Sequence, residues 1–335
     1  MPPRRPAAGA DQPPGAGGRR GQADDGGTDS SGGHRPARPA VLLLRDQLHR
    51  EPRRHLPATG RRRRPRCAGG RHGSPRQPAG GCAMKRLKDC FTDDRPHLVG
   101  GVWTAGGGEA FDSTSPATGD RVWEAAAAAA ADVAAAIRAA RQAQSEWANR
   151  PVAERIKILE AGADALLTHG DDLHAAIVRE TGKPHWEVAT EIKAMAAKIP
   201  ATIDAWRERQ QDQVTTGEDG VAATRYRPHG VMAVIGPFNF PGHIPQGHIV
   251  PALLAGNTVV FKPSEFTPLA GRRLAEVWQR AGLPAGVLNL VQGGRETGAA
   301  LTTHPGHDGI LFTGSYRTGV ALRQALVAEP GKMLA

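Results

Sequence analysis

The carboxyl-terminal third of the chain predicts an α/β fold on an open parallel sheet, and three features point there. Val231 to Ile235 is a short apolar run and Thr258 to Phe261 reads as a second buried strand, the pattern of strands buried on both faces. Between them lies an apolar helical stretch, so the order is strand, turn, helix, strand. Lys262 stands at the carboxyl end of the second run, the edge where ligands sit in open α/β sheets.

Residues 1 to 83 differ from everything that follows. They hold 17 Arg, no Lys and 6 acidic residues, which from totals of 43 basic and 33 acidic leaves 26 and 27 for residues 84 to 335. The net charge of +10 therefore belongs to this tail. It has no Phe, Tyr, Trp, Ile or Asn and is filled with Gly, Pro, Ala and Arg, so it cannot bury enough apolar surface to offset the entropy of ordering. A disordered, solvated extension is expected, and Met84, which opens the first stretch containing lysine, raises the prospect of a misplaced reading-frame start. Arg61 to Arg64 could meet phosphate, but no aromatic residue interleaves the arginines to stack on bases, so nucleic acid is the weaker expectation. Val41 to Leu44 is too short for the core of a signal peptide.

No segment approaches the roughly 18 consecutive apolar residues of a membrane span, and a soluble cytoplasmic protein is expected. Cys67, Cys82 and Cys90 lie in or beside the tail and have no metal-site or disulfide spacing.

From residue 84 to 230 a helical part with an extended arm is predicted. Val133, Ile137, Ala140 and Trp147 recur at helical spacing. Pro151 opens a second helix, lined by Ile156, Leu159, Ala163, Leu166 and Leu167 and closed by Gly170. A third, about 171 to 180, stops at Thr181-Gly182-Lys183-Pro184. A fourth carries Val188, Ile192, Met195 and Ile199, with Pro200 expected to kink or break it. From Gln213 to Arg227, Gly217 and Gly220 are turn residues beside alternating positions, which reads as an extended arm.

Residues 231 to 335 form the α/β part. Gly236 and Pro237 end the first strand, Pro241, Gly242 and Pro245 keep the turn irregular, and a helix of roughly Gly247 to Leu254 follows, ended by Gly256 in a left-handed conformation. Thr267 and Pro268 start the next helix, which Gly282 ends, and Val287 to Val291 is the next strand. Arg295 or Glu296 starts a short helix, and the strand Gly309 to Phe312 runs into Thr313-Gly314-Ser315-Tyr316-Arg317-Thr318-Gly319. Small residues at a strand-to-helix turn let backbone amides approach a phosphate, although glycine and serine there are also ordinary capping residues.

Pro237-Phe238-Asn239-Phe240-Pro241, followed by Lys262-Pro263-Ser264-Glu265, resembles the aldehyde dehydrogenase superfamily. The Gly242, His243, Pro245, Gly247, His248 variant and the Gln292 to Gly298 stretch are similar to the branch of it that oxidises succinylglutamate semialdehyde in arginine catabolism. The similarity starts near His97. It implies an open parallel sheet forming an NAD-binding domain, incomplete here, with NAD as cofactor and a small aldehyde as substrate. Asn239 would donate to the oxyanion formed when a thiolate attacks the aldehyde, a preorganised contact worth about 10² or more in rate. Lys262 and Glu265, with Pro237, Phe238 and Ser264 beside them, would hold the adenosine ribose, and a glutamate there would repel the extra phosphate of NADP. Gly314, Ser315, Tyr316, Arg317, Thr318 and Gly319 would carry the pyrophosphate. The 213 to 227 arm would pair with a neighbouring subunit in a homo-oligomer. His243 and His248 are read as structural histidines.

The family's reaction needs a cysteine nucleophile and a glutamate base, and no position matches the family's motifs for either. The expectation is therefore an amino-terminal portion cut before the catalytic domain and inactive alone. The alternatives are a cofactor-binding half that complements a separate catalytic chain and, less favoured, a nucleic-acid binder. An exposed apolar patch near Gly309 to Leu326 is also expected.

Overall fold

The computed structural model describes residues 90–335 apart from residue 219. The basic tail, with Arg61 to Arg64, Cys67 and Cys82, lies outside the described residues. Three strands come first, β1 (Phe91–Asp93), β2 (His97–Val99) and β3 (Val102–Thr104), then β4 (Ala110–Thr114) and β5 (Arg121–Ala126). Four helices follow, α1 (Ala130–Asn149), α2 (Val152–His169), α3 (Asp171–Thr181) and α4 (His185–Arg209), and then the hairpin β6 (Gln213–Gly217) and β7 (Gly220–Thr224). The alternating part is β8 (Val231–Ile235), α5 (His243–Leu254), β9 (Thr258–Lys262), α6 (Pro268–Arg280), β10 (Leu288–Leu290), α7 (Arg295–Thr303), β11 (Gly309–Phe312), α8 (Tyr316–Ala325) and β12 (Met333–Leu334). Among the described residues no helix is long and apolar enough to cross a membrane.

The main sheet has seven strands in the order β12-β11-β8-β9-β10-β2-β3. Its five alternating-part strands are parallel, with Ala233 of β8 opposite both Val260 of β9 and Ile310 of β11. Beyond β10 the sheet gains two antiparallel strands, β2 and β3, from far earlier in the chain. These have three residues each, too few for a period to show. Side-chain alternation sorts the strands onto two cores. Val231, Ala233, Val260 and Ile310 face α1 and α7, packing with Val133, Ile137, Ala140 and Leu301. Met232, Val234, Val259 and Phe261 face the other way, against Leu166, Met195, Ile249, Leu253 and Trp278.

Most strand and helix expectations hold, and the departures have physical causes. Helix α5 begins at His243 instead of Gly247, because Pro245 falls in its first turn, where an amide has no intrahelical partner to lose. Gly256, at φ +89°, follows its last turn. Helix α4 does not break at Pro200 but continues to Arg209. The proline removes one ladder amide, while Met195, Ala196, Ile199 and Ile203, buried on either side, hold the helix in place. Leu167, expected inside, is 61% exposed, and Arg155 is buried. The inward face of α2 runs through 155, 159, 162 and 166, and the next residue is turned about 100° away. Arg155 donates to the carbonyls of Leu254, Ala148 and Arg150, so the carboxyl ends of α1 and α5 meet one guanidinium.

Of the apolar patch expected near Gly309 to Leu326, only part is exposed. Ile310, Leu311, Leu322 and Leu326 are buried, and Tyr316 and Val320 face outward. The predicted arm is an antiparallel hairpin, Gln213 opposite Thr224, with every described residue exposed.

Candidate functional site

Strand order determines where a site can form. From β8 the chain steps to β9 and β10 on one side, then returns through α7 to place β11 on the other side of β8. Connections leaving β8 and β11 in opposite directions open a crevice at their carboxyl ends, the switch point of an open α/β sheet. A cleft of about 810 Å³ lies at this point. Its lining brings together Pro237, Phe238 and Asn239 after β8, Lys262, Ser264 and Glu265 after β9, and Gly314, Ser315 and Thr318 after β11. Tyr316, Arg317 and Gly319 of the predicted phosphate turn are not in the lining, and Tyr316 is 89% exposed.

The turn after β8 is held from behind by two charged residues on the helical segment. Glu191 of α4, buried, accepts from the amides of Gly242 and His243 through Oε1, each at 3.1 Å. A carboxylate at the start of α5 satisfies two amides without helical partners and opposes the dipole. Lys183 Nζ sits 3.0 Å from Glu191 Oε2 and 3.5 Å from the centroid of Phe240. The Asn239-Phe240 turn is thus fastened on both sides, and Asn239 is exposed at the cleft.

After β9 a second buried carboxylate plays the matching part. Glu180, at the end of α3, accepts from Leu269 N and Ala270 N at 2.9 Å each and from Ser113 Oγ at 2.7 Å, capping α6. Burial pushes its carboxyl up to about 7, against the pull of these three bonds. Ser264 Oγ accepts from Phe266 N at 3.3 Å, fixing the turn that carries Phe266 edge-to-face against Phe238, with centroids 5.8 Å apart.

Lys262 is 5% exposed, and its Nζ donates to Pro263 O at 2.8 Å and Gly293 O at 2.7 Å, with Glu265 Oε2 at 3.8 Å. Burial draws the amine down to about 8, while Glu265 pulls the other way. Through Gly293 the lysine ties β9 to the turn before α7. That turn is held again by His97, whose Nδ1 accepts from Gln292 N at 3.1 Å, and by Gln292 Nε2, which donates to Pro268 O at 2.8 Å. His97 is fully buried, and burial lowers it to about 4, so it is a neutral acceptor.

The third wall was missing from the sequence reading. Gly294, Arg295, Gly298, Ala299 and Thr302 of α7 and its entry line the cleft. The signal is the glycine pair Gly293-Gly294 directly before a helix at a strand end, inside the Gln292 to Gly298 stretch whose resemblance to the family branch assigns it no place in the site. Ser315 caps α8, its Oγ accepting from Thr318 N at 3.2 Å and lying 2.9 Å from Thr318 Oγ1. The first amides of α8 and its positive dipole end adjoin the cleft. His248 Nε2 is 2.9 Å from Thr313 Oγ1, and burial, then Lys198, lowers its pKa. It braces the end of β11.

Residues 103–335 match the model of the aldehyde dehydrogenase family. The chain belongs to that family. It is 53% identical over 237 residues to N-succinylglutamate 5-semialdehyde dehydrogenase of Pseudomonas fluorescens, covering 71% of this chain and 49% of that protein. It is 54% identical over 239 residues to the enzyme of the same name from Erwinia tasmaniensis, covering 71% of this chain and 48% of that protein. The chain thus spans about half the length of these curated relatives. Among solved structures it resembles a Mycobacterium tuberculosis aldehyde dehydrogenase complexed with NAD+, with TM-score 0.69 and 35% identity over 73% of this chain and 51% of that one. It also resembles an NADP-dependent glyceraldehyde-3-phosphate dehydrogenase from Bacillus halodurans complexed with NADP, with TM-score 0.67 and 32% identity over 72% of this chain and 52% of that one.

Proposed function

We propose that this aldehyde dehydrogenase chain binds NAD in the switch-point cleft and serves the oxidation of N-succinylglutamate 5-semialdehyde to the carboxylic acid, a step of arginine catabolism in the cytoplasm. The observation that carries the reading is that one cleft gathers Asn239, Lys262, Glu265, Ser315 and Thr318 from three separate strand ends. The names of the curated relatives supply the substrate.

The residues fit the dinucleotide. Glu265, 46% exposed at the side chain, would accept from a ribose hydroxyl, and its charge would disfavour a phosphate at that position. Lys262, Pro237, Phe238 and Ser264 shape the adenosine side. Gly314 to Gly319 offers the pyrophosphate the amino end of α8, where no acidic residue occupies the first turn. The bound nicotinamide supplies the hydride acceptor. Asn239 would donate its side-chain amide to the oxyanion of the thiohemiacetal, and Glu191 and Lys183 hold the turn that follows it through Gly242, His243 and Phe240.

Among the described residues Cys90 is the one free cysteine, and it sits before β1, outside the cleft lining. In this reading the chain contributes the cofactor site, and aldehyde turnover depends on complementation by a cysteine-bearing chain. The β6–β7 hairpin is the contact between subunits of a homo-oligomer. The test is to titrate the chain with NAD+, then add the aldehyde with and without the carboxyl-terminal half of a relative. Saturable NAD+ binding, no NADH from the chain alone and NADH on mixing are expected. Absence of NAD+ binding would overturn the cofactor reading, and no NADH on mixing would overturn complementation.

A further inference from the structure

Helix α5 is buried except along His243, Ile244, Gly247, His248 and Pro251, a stripe at helical spacing. The stripe begins four residues after Asn239, so it leads away from the proposed oxyanion donor along one continuous segment. Helix α4 closes on it at two glycines. A Cβ at Gly242 would meet Met195 Sδ at 2.5 Å, and a Cβ at Gly247 would lie 3.3 Å from Lys198 Nζ and 3.5 Å from its Cδ. The Lys198 ammonium therefore rests over bare backbone.

Lys198 is half-buried, and among the described residues its ammonium has neither a hydrogen-bond nor an ion-pair partner. The carboxylate on the same face of α4 is engaged elsewhere, since Glu191 gives Oε1 to the amides of Gly242 and His243 and Oε2 to Lys183. A second polar group is left over beside it. His243 Nδ1 is buried without a hydrogen-bond partner, although buried polar atoms are nearly always paired. Burial, then Lys198, holds the His243 imidazole below its usual value, with Glu191 pulling the other way, so the ring is neutral and keeps one N–H to donate. One carboxylate would answer both groups, accepting a charge-assisted bond from the ammonium and a second from the ring. Lys198 stands seven residues beyond Glu191, about 10 Å along α4, which sets it apart from the turn that carries Asn239. The anion it suits is thus the far end of a molecule whose near end reaches that turn.

We infer that Lys198, resting over Gly247 and beside His243, is the specificity-determining residue for the succinyl carboxylate of the aldehyde, the end of the substrate remote from the reacting carbonyl. The inference rests on the proposed substrate and on Asn239 as its oxyanion donor. Lys198 supplies the charge and His243 a second donor. Gly247 keeps the floor beneath the ammonium clear, and any side chain there would press on Nζ.

Calorimetric titration of the full chain with two stable probes tests this. N-succinylglutamate carries the remote carboxylate, and N-butanoylglutamate has a methyl group in its place on a chain of the same length. The wild type is expected to bind the first about tenfold more tightly than the second. Lys198→Met, which keeps the apolar stem and removes the charge, should abolish that preference, Lys198→Arg should keep most of it, and Gly247→Ala should reduce it. Because the ammonium has no partner to lose, thermal melting of K198M should match the wild type, and NAD+ affinity, titrated in parallel, should be the same in both. Equal binding of the two probes by the wild type, an unchanged preference in K198M, or binding of neither probe would overturn the inference, and NAD+ binding in the same samples would leave the cofactor reading standing. A succinyl preference lost in K198M without any NAD+ binding would uphold the inference and overturn the cofactor reading.

Discussion

Helices α5 and α6 begin on buried carboxylates from elsewhere in the chain, whereas α8 begins on its own serine beside an open cleft. Glu191 closes α5 and Glu180 closes α6, each through two backbone amides. Ser315 answers one amide of α8, that of Thr318. Closed ends fix architecture, because their amides are already satisfied and have nothing to offer a ligand. An end with amides to spare can receive an anion. The same backbone chemistry therefore holds the walls at two strand ends and is available for binding at the third.

Breaking a closed end should cost the most. Glu191→Ala leaves the amides of Gly242 and His243 without their acceptor and Lys183 with only its 3.6 Å pair to Glu187, and about 3 kcal/mol of stability should be lost, as for other broken buried pairs. Urea unfolding measures it, and a loss below about 1 kcal/mol would mean that Glu191 does not fasten the turn.

The second closed end should show in pH. Glu180 is raised to about 7 in the folded chain, above an ordinary carboxylate, so the folded state binds the extra proton between its unfolded and folded values. Its contribution to stability is full at low pH and falls as pH rises through that window. Relative to Glu180→Gln, the wild type should lose on the order of 3 kcal/mol between about pH 4.5 and pH 7. Parallel stability curves for the two proteins would contradict this.

The open end should respond weakly in stability. Ser315→Ala removes one cap, worth about 1 kcal/mol, and should lower NAD+ affinity by more than its effect on the melting temperature implies. Asn239→Ala, at an exposed position, should change stability by less than about 0.5 kcal/mol, so any larger shift would mean that the amide holds the turn itself.

The same contrast separates what the sequence made legible from what it hid. β8 and β9 could be read because five and three consecutive apolar residues are a local signal, and Lys262, Glu265 and Ser315 because they sit at or just beyond the ends of strand runs. Glu180 and Glu191 could not, since a glutamate in an amphipathic helix looks like a solvated one until a distant helix end arrives 89 or 51 residues later in the chain. β2 and β3 escaped for lack of length, and their place beside β10 depends on a pairing nearly 200 residues away in sequence, Leu98 with Leu290. The break allowed for at Pro200 does not occur because a local rule is outweighed by packing on both sides of it. Arg295 was visible as a helix start, but its place in the cleft depends on the turn held by Lys262 and His97.

The central claim is that the switch-point cleft is a dinucleotide site, and amide chemical shifts of the labelled chain during NAD+ titration test it most directly. Saturable shifts concentrated at Gly294, Gly298, Gly314 and Thr318, with the amides of Gly242 and Leu269 unmoved behind their carboxylates, are the predicted result. Saturating NAD+ that leaves those four resonances in place would contradict it.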